Sequence, residues 1–470
     1  MLDALLFALA VFLVMLMGAA IGFLVFRPRE VSVAELISIP WAFGTIGVAF
    51  ACLFLNLLGL RLDGAVLAII ILGVAAVAAV AYRRSPPVKL RMPAAFGWKE
   101  LFVVLLLIFA VQQFMVWSYA YPVENDGIKS WGLKAKILFQ DRTFLTPDFT
   151  DPYIIHPHKH YPLLLPYTET FFYMFQGAAN DEAINAIFPL YVIASIGLIY
   201  SLQRYLSPSM PRLHALLFTL ALAVLPLLVL LPAGYSDIPT SLYLLGTAGF
   251  GLLWLAGRER KSLLAFAAFG CGLFFIKSEG MPLLFITVFM LFAWSILKRQ
   301  APKRGEAALL LSPFLLYAVW LLASLGLPND DNYLQQARPD VVINNLGRLA
   351  YITISGASML TDYELYSLLP LLFLAAVFAN LGWLRDTRTG FLLSLLAMFA
   401  ILVVFFYMIT AHDLAWQMDN SFDRIILQLI PVAILFCSLQ MEPVLWSVGA
   451  HGSEKGEEQA SSGYYSRKKA

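Results

Sequence analysis

The chain has 470 residues, 60% of them hydrophobic and only 13% charged, with a formal net charge of +2 and a mean hydropathy of +0.77. A soluble protein carries about a quarter charged residues, so this composition excludes a soluble globular enzyme and leaves an all-α polytopic membrane protein. The near-neutral charge balance gives no footing for nucleic acid. Cys52, Cys271 and Cys437 all lie in apolar runs, without disulfide or metal-ligand spacing, and read as small core hydrophobes.

The N-terminus carries Asp3 and no Lys or Arg before a long apolar run, which is the wrong flank for a cleaved signal peptide. About twenty apolar residues cross a bilayer as a helix. On that measure about 13 transmembrane helices are predicted, near 2–26, 32–59, 64–82, 100–121, 183–202, 213–232, 238–256, 262–277, 281–297, 306–327, 366–384, 390–411 and 424–440. The short eighth and ninth runs alternatively form one re-entrant hairpin. The basic loop from Arg83 to Lys99 divides three leading spans (1–99) from a ten-span core (100–440). From Gly449 the chain is Gly/Ser/Glu/Lys-rich, and 441–470 is predicted to be a disordered cytoplasmic tail.

With the N-terminus outside, the inner segments take Arg27, Arg83, Arg84, Arg204, Arg258, Arg260, Lys298, Arg299, Arg388 and most of the other basic residues. The short outer turns hold almost none. Positive charge held inside is the usual topological signal. It turns the loops 122–182, 328–365 and 412–423 outward.

The first and longest of these loops opens with Glu124-Asn125-Asp126, at the very end of a span. Carboxylates at the mouth of a membrane helix are costly beside hydrocarbon and usually face a water-filled cavity. An amphipathic segment from Ile128 to Phe139 follows, with Trp131 and the lysines 129, 134 and 136, suited to lying in the membrane interface. Then comes His156-Pro157-His158-Lys159-His160-Tyr161-Pro162, whose alternating imidazoles suit either a metal or a packed loop. Other polar groups also fall at the outer side. They are Asp237 in the turn Gly234-Tyr235-Ser236-Asp237, the turn Lys277-Ser278-Glu279-Gly280, Asp330, Asp331, Arg338 and Arg348, and His412, Asp413, Asp419, Asp423 and Arg424. Outer loops are polar simply because they are wet. That account is weaker for Asp237 and Lys277, because a very short turn at the boundary has no need of a charge. These loops are predicted to converge on one external cavity that gathers Asp126, Asp237, Lys277 and Arg424.

The order of these motifs carries a resemblance. An acid ends the first core span and leads into Asp126-Gly-Ile-Lys-Ser-Trp131-Gly-Leu-Lys134. His160-Tyr161-Pro162-Leu-Leu-Leu-Pro166, Gly234-Tyr235-Ser236-Asp237-Ile-Pro239, Lys277-Ser278-Glu279-Gly280 and Asp423-Arg424 with Gln428-Leu-Ile-Pro431 follow. Over about residues 100 to 440 this resembles the GT-C superfamily of integral-membrane glycosyltransferases. The nearest branch is the bacterial one related to dolichyl-phosphate-mannose–protein mannosyltransferases and the lipid A aminoarabinose transferase. The three leading spans depart from the minimal core of that superfamily.

The resemblance implies inverting transfer of a sugar from a polyprenyl-phosphate donor to a glycan, lipid or protein acceptor. The site would face the periplasm or exterior of a bacterial inner membrane. It makes Asp126 the general base or acceptor-orienting group, with Asp237 and Glu124 beside it. Lys277, Glu279, Arg424, His160, Tyr161, Trp131 and Asp423 become substrate-binding candidates. The chemistry suits such residues independently: a phosphate leaves as a stable anion, so cations such as Lys277 and Arg424 assist it better than a general acid. No cofactor is expected, since the external loop lacks a clean Asp-x-Asp pair for a divalent metal. Two rivals remain: an O-antigen polymerase or ligase using diphosphate-linked donors, and a lipid or sugar transporter or flippase. The second predicts mid-span charges and repeated halves, whereas the charges here cluster at outer ends.

Overall fold

The structure, a computed structural model, describes all residues except 1, 29, 92–94, 122, 124–125, 152–157, 231–233, 329–335, 380, 382–385 and 458–470. Among the described residues the chain is almost wholly helical, and ten helices are long and apolar enough to cross a membrane. The protein is an all-α polytopic membrane protein.

Three leading helices, α1 (Leu2–Phe26), α2 (Val33–Leu57) and α3 (Gly64–Arg83), precede α4 (Trp98–Ala120). The long first loop folds into a π-helical turn (Gly127–Gly132) and the short helices α5 (Leu133–Asp141), α6 (Pro147–Thr150), α7 (Leu164–Gln176) and α8 (Asp181–Asn185). The core continues with α9 (Ile187–Leu206), α10 (Arg212–Ala223), α11 (Pro226–Leu230), α12 (Asp237–Gly257), α13 (Arg260–Ile276), α14 (Gly280–Leu297) and α15 (Arg304–Ala323). After short helices in the second long loop come Leu369–Ala379, the penultimate helix Thr387–Ile409 and the last helix Leu414–Glu457.

Every predicted run contains helix, but three fall short of the length that crosses unaided. The run near 213–232 breaks after Ala223 before Pro226, the helix near 262–277 has 17 residues, and the one near 366–384 has 11. A proline that cannot donate its backbone nitrogen accounts for the first break. The eighth and ninth runs are separate helices, α13 and α14, joined by a tight turn at Gly280. A Cβ on Gly280 would lie 1.7 Å from the Leu273 carbonyl oxygen, so no larger residue fits.

The leading spans do not form a separate unit. At one end, strand β1 (Glu30–Ser32) pairs in parallel with β2 (Lys89–Arg91), from the loop read as a boundary. Helix α2 is the most enclosed of the three. It meets α1 so closely that a Cβ on Gly18 would lie 1.8 Å from Pro40 O, the small-residue contact that lets membrane helices approach. On its other side Thr45 Oγ1 sits 2.6 Å from the Tyr243 hydroxyl of α12. At the far end, the buried Asn56 donates to Arg142 O (3.2 Å) and accepts from Phe144 N (3.3 Å) and the Tyr167 hydroxyl (3.1 Å). One side chain thereby ties α2 to three points of the long first loop, satisfying backbone groups that lipid could not.

The last helix corrects two expectations. Asp413 caps its start by accepting from Trp416 N (2.9 Å), so most of the predicted loop 412–423 is helix. The helix also reaches Glu457, into the segment predicted to be a disordered tail. Farther along it Glu442 accepts from the Ser207 hydroxyl, and nearby Arg388 donates to Leu206 O (2.7 Å). Residues that the charge rule assigns to one side thus meet at one end of the bundle, and the outer-side candidates meet at the other. Cys52, Cys271 and Cys437 are buried and free, as the apolar runs around them predict.

Candidate functional site

Asp237 is the first residue of α12 and is completely buried. Both of its oxygens are engaged. Oδ1 accepts from Lys277 Nζ at 3.0 Å and from Gln428 Nε2 at 2.6 Å, while Oδ2 accepts from Arg424 Nε at 3.1 Å. Arg424 reaches on through Nη1 to Asp126 Oδ2 at 2.8 Å. The four residues predicted to converge therefore form one chain of charge-assisted contacts, Lys277–Asp237–Arg424–Asp126. Its members come from the end of α13, the start of α12, the last helix and the segment after α4.

Local structure explains each position. Lys277 ends α13 in an extended conformation (φ −163°, ψ 151°), which swings its side chain out of the helix toward Asp237. Burial alone would lower the affinity of its ammonium for a proton. Asp237 and Glu279 outweigh that and hold it above its ordinary value, so Lys277 is a cation. Glu279 Oε1 lies 3.1 Å from Lys277 Nζ, while Oε2 is shielded from solvent with no partner among the described residues. Arg424 and Gln428 are four residues apart on the last helix and so share one face. Arg424 also stacks over the Tyr235 ring, its guanidinium carbon 4.2 Å from the centroid, a cation–π contact that fixes its plane. It lies ten residues into the helix, about 15 Å from its start at 1.5 Å per residue, and not at the head of the span as predicted. Nor does it pair with Asp419 or Asp423.

Two glycines bring Asp126 to the others. Gly234 has φ +100°, which an L side chain rarely adopts, and a Cβ there would lie 2.8 Å from Gly127 Cα. The backbone before α12 thus lies against the residue that follows Asp126. Gly234→Ala should lower stability by about 1–3 kcal/mol, the usual effect of overpacking, and separate Asp126 from Arg424. A thermal midpoint equal to the wild type's would show that this approach is not needed.

The remaining candidates lie apart from the chain of contacts. Asp423, one residue from Arg424, faces elsewhere and accepts from the Tyr366 hydroxyl at 2.6 Å. Trp131 and Tyr161 are buried with ring centroids 6.0 Å apart, and the fully buried Lys134 lies over both, 5.2 and 5.6 Å from their centres. The expected interfacial face is therefore turned inward at Trp131 and Lys134, while Lys136 pairs with Asp181 at 2.6 Å. His160 accepts at its backbone oxygen from Trp320 Nε1 (3.2 Å), and both the His158 and His160 rings pack on Tyr161. Among the described residues no group of three or more His, Cys, Asp or Glu is gathered to hold a metal. Glu124, His156, Asp330 and Asp331 lie outside the described residues. Arg338 pairs with Asp340, and Arg348 donates to Thr410 O (2.9 Å).

Three participants went unpredicted as site residues. Gln428 and Tyr235 sit in motifs quoted above, and the i, i+4 spacing of Arg424 and Gln428 was the available signal. Glu169 had none. It is buried in α7 beside a small void that Gly127 and Gly234 also line. Burial, reinforced by Asp181 and opposed by Lys136, pushes its carboxyl well above the usual range.

The site is thus a buried carboxylate that holds two cations in place, with a more exposed carboxylate beside them. Asp126 keeps 38% of its side chain exposed against none for Asp237. Comparison with family models, with curated proteins and with solved structures finds no match to this chain.

Proposed function

We propose that the protein is an inverting, polyprenyl-phosphate-dependent glycosyltransferase of GT-C type. It would transfer a sugar to a glycan, lipid or protein acceptor at the outer face of a bacterial inner membrane, with thirteen spans once the three shorter helices are counted. The observation that carries this reading is the linkage of Lys277 and Arg424 through the buried Asp237, with Asp126 at its open end. Asp237 already accepts three hydrogen bonds, so its role here is to position the cations, and Asp126 is the base. Asp126 Oδ1 accepts no hydrogen bond among the described residues and is the oxygen left for an acceptor hydroxyl. The donor's phosphate would lie against Arg424 and Lys277, which take up the charge that develops as the sugar leaves. Glu279, 3.1 Å from Lys277 Nζ, would help to position that cation.

The test is consumption of a polyprenyl-monophosphate-linked sugar, from a panel, by purified protein in detergent or nanodiscs. Consumption of diphosphate-linked donors alone would make the protein a polymerase or ligase. Movement of intact lipid without bond cleavage would make it a transporter. Charges gathered at one end of the bundle favour the enzyme.

Arg424→Ala should weaken binding of polyprenyl phosphate by about 1.5–3 kcal/mol, the usual worth of a hydrogen bond to a charged group. Arg424→Lys should recover only part, because an ammonium cannot offer two prongs at once. Affinity and thermal midpoint must be read together, since Arg424 also neutralises Asp237. Unchanged affinity with a lowered midpoint would leave Arg424 as structure and move the phosphate role to Lys277.

A further inference from the structure

A roomy cavity lies at the opposite end of the bundle from the carboxylate–arginine chain. Helix α12 connects the two: Asp237 begins it and Gly257, which lines the cavity, ends it, about 30 Å away at 1.5 Å per residue. The cavity measures about 690 Å³ and opens between α1, α2, α9 and α12, under the β1 strand. Its volume falls in the range that holds a small molecule or lipid segment. The first two leading helices, α1 and α2, supply much of its wall, which gives them a task the catalytic reading does not.

Its lining divides into two zones. The interior is apolar, with Phe23, Phe26, Leu202 and Phe250 among its walls. The charged lining groups are Glu30, Glu35, Glu259 and Lys261. Glu35 is occupied, since it accepts from Ser32 N (2.7 Å) and from the Tyr205 hydroxyl. Glu30, Glu259 and Lys261 are exposed and have no ion-pair partner among the described residues. Two free carboxylates and one ammonium at the rim of an apolar cavity complement a zwitterion with a hydrocarbon tail. Between the zones lies Ser201, a buried lining residue whose hydroxyl has no hydrogen-bond partner among the described residues. It sits five residues before the end of α9, about 7–8 Å below the rim, where the ester carbonyls of a glycerolipid lie beneath its headgroup. An unmade bond on a buried hydroxyl is unfavourable, and an ester carbonyl would satisfy it.

We propose that this cavity binds one aminophospholipid from the leaflet at this end of the protein. Its primary ammonium lies between Glu30 and Glu259, its phosphate at Lys261, an ester carbonyl at Ser201 and an acyl chain in the apolar interior. A primary ammonium offers three donors to the carboxylates, which the quaternary group of a choline lipid does not. An anionic headgroup without an amine meets repulsion from both acids. The proposal is independent of the sugar-transfer reading.

The test uses the full chain in nanodiscs of phosphatidylcholine, with equal minor fractions of phosphatidylethanolamine and phosphatidylglycerol. Lipids retained after extraction into detergent are then counted by native mass spectrometry. The wild type should retain one phosphatidylethanolamine, about tenfold in preference to phosphatidylglycerol, the ratio that about 1.4 kcal/mol of discrimination gives. Ala19→Phe with Ala256→Phe, at exposed lining positions, fills the cavity without disturbing the core and should abolish retention. Glu30→Gln with Glu259→Gln changes only rim charges and should remove the preference while leaving the fold intact. Equal retention of both lipids by the wild type, retention undiminished in the filled variant, or no lipid retained at all would each overturn the proposal.

Discussion

Asp126→Asn should lower turnover of the proposed transfer by about two to four orders of magnitude, the usual worth of a general base. It should do so while leaving the fold and donor affinity nearly unchanged. The side chain keeps its shape but no longer accepts a proton from the acceptor hydroxyl. The structure says why this substitution separates chemistry from stability. Asp126 is the most exposed of the four linked residues, and its only described side-chain partner, Arg424, remains neutralised by Asp237 when Asp126 loses its charge. The measurement is consumption of the donor that the wild type consumes, beside thermal midpoint and polyprenyl phosphate affinity. Near-normal turnover in a folded variant would remove Asp126 from the mechanism.

Asp237→Ala should have the opposite signature, a stability defect of about 3–5 kcal/mol, because removing one partner of a buried ion pair leaves the other charge uncompensated. Here two cations are stranded, Lys277 and Arg424, together with the Gln428 amide. In membrane protein practice that appears as a lowered thermal midpoint or loss of monodisperse protein. The effect should be coupled to Lys277. Lys277→Met removes one stranded charge with a side chain of similar length, so adding it to Asp237→Asn should cost less than the two single effects added together. A coupling of about 0.5–3 kcal/mol is the range for residues in one network. Strict additivity would contradict the buried pairing. Full stability of Asp237→Ala would mean that water or lipid reaches the pair and that Asp237 is not the anchor assigned to it.

The division of labour between the two aspartates was not legible in the sequence. Both sit at helix ends in outer turns, and the motif order alone made both catalytic candidates. Only the packed structure distinguishes an acid with both oxygens engaged from one that keeps an oxygen open. The same holds for Asp423 and Arg424. They are adjacent in sequence, but successive residues on a helix point about 100° apart, so one reaches Asp237 while the other reaches Tyr366.

What the sequence determined by itself is the class of molecule and the end of the bundle where its charges gather. Apolar runs of membrane-crossing length and an asymmetric distribution of lysine and arginine are local properties, and they place each polar turn at one end or the other without reference to any contact. The short turns Gly234–Asp237 and Lys277–Gly280 could be singled out as well, since a very short turn at the boundary has no need of a charge. Which partner was decided by tertiary structure alone. Arg424 and Asp126 are 298 residues apart, and Arg424 and Asp237 are 187 apart. The start of the last helix moved for a related reason. Asp419, Asp423 and Arg424 look like loop residues to a hydropathy reading, yet a helix keeps such residues when it is capped by Asp413 and when neighbouring helices neutralise the charges that face them. The leading spans likewise read as a separate block, because nothing local in Asn56 or Thr45 announces a bond to Tyr167 or Tyr243. Hydrophobicity acts residue by residue and is written along the chain. Charge neutralisation and hydrogen bonding act between residues, and they are fixed only when the helices pack.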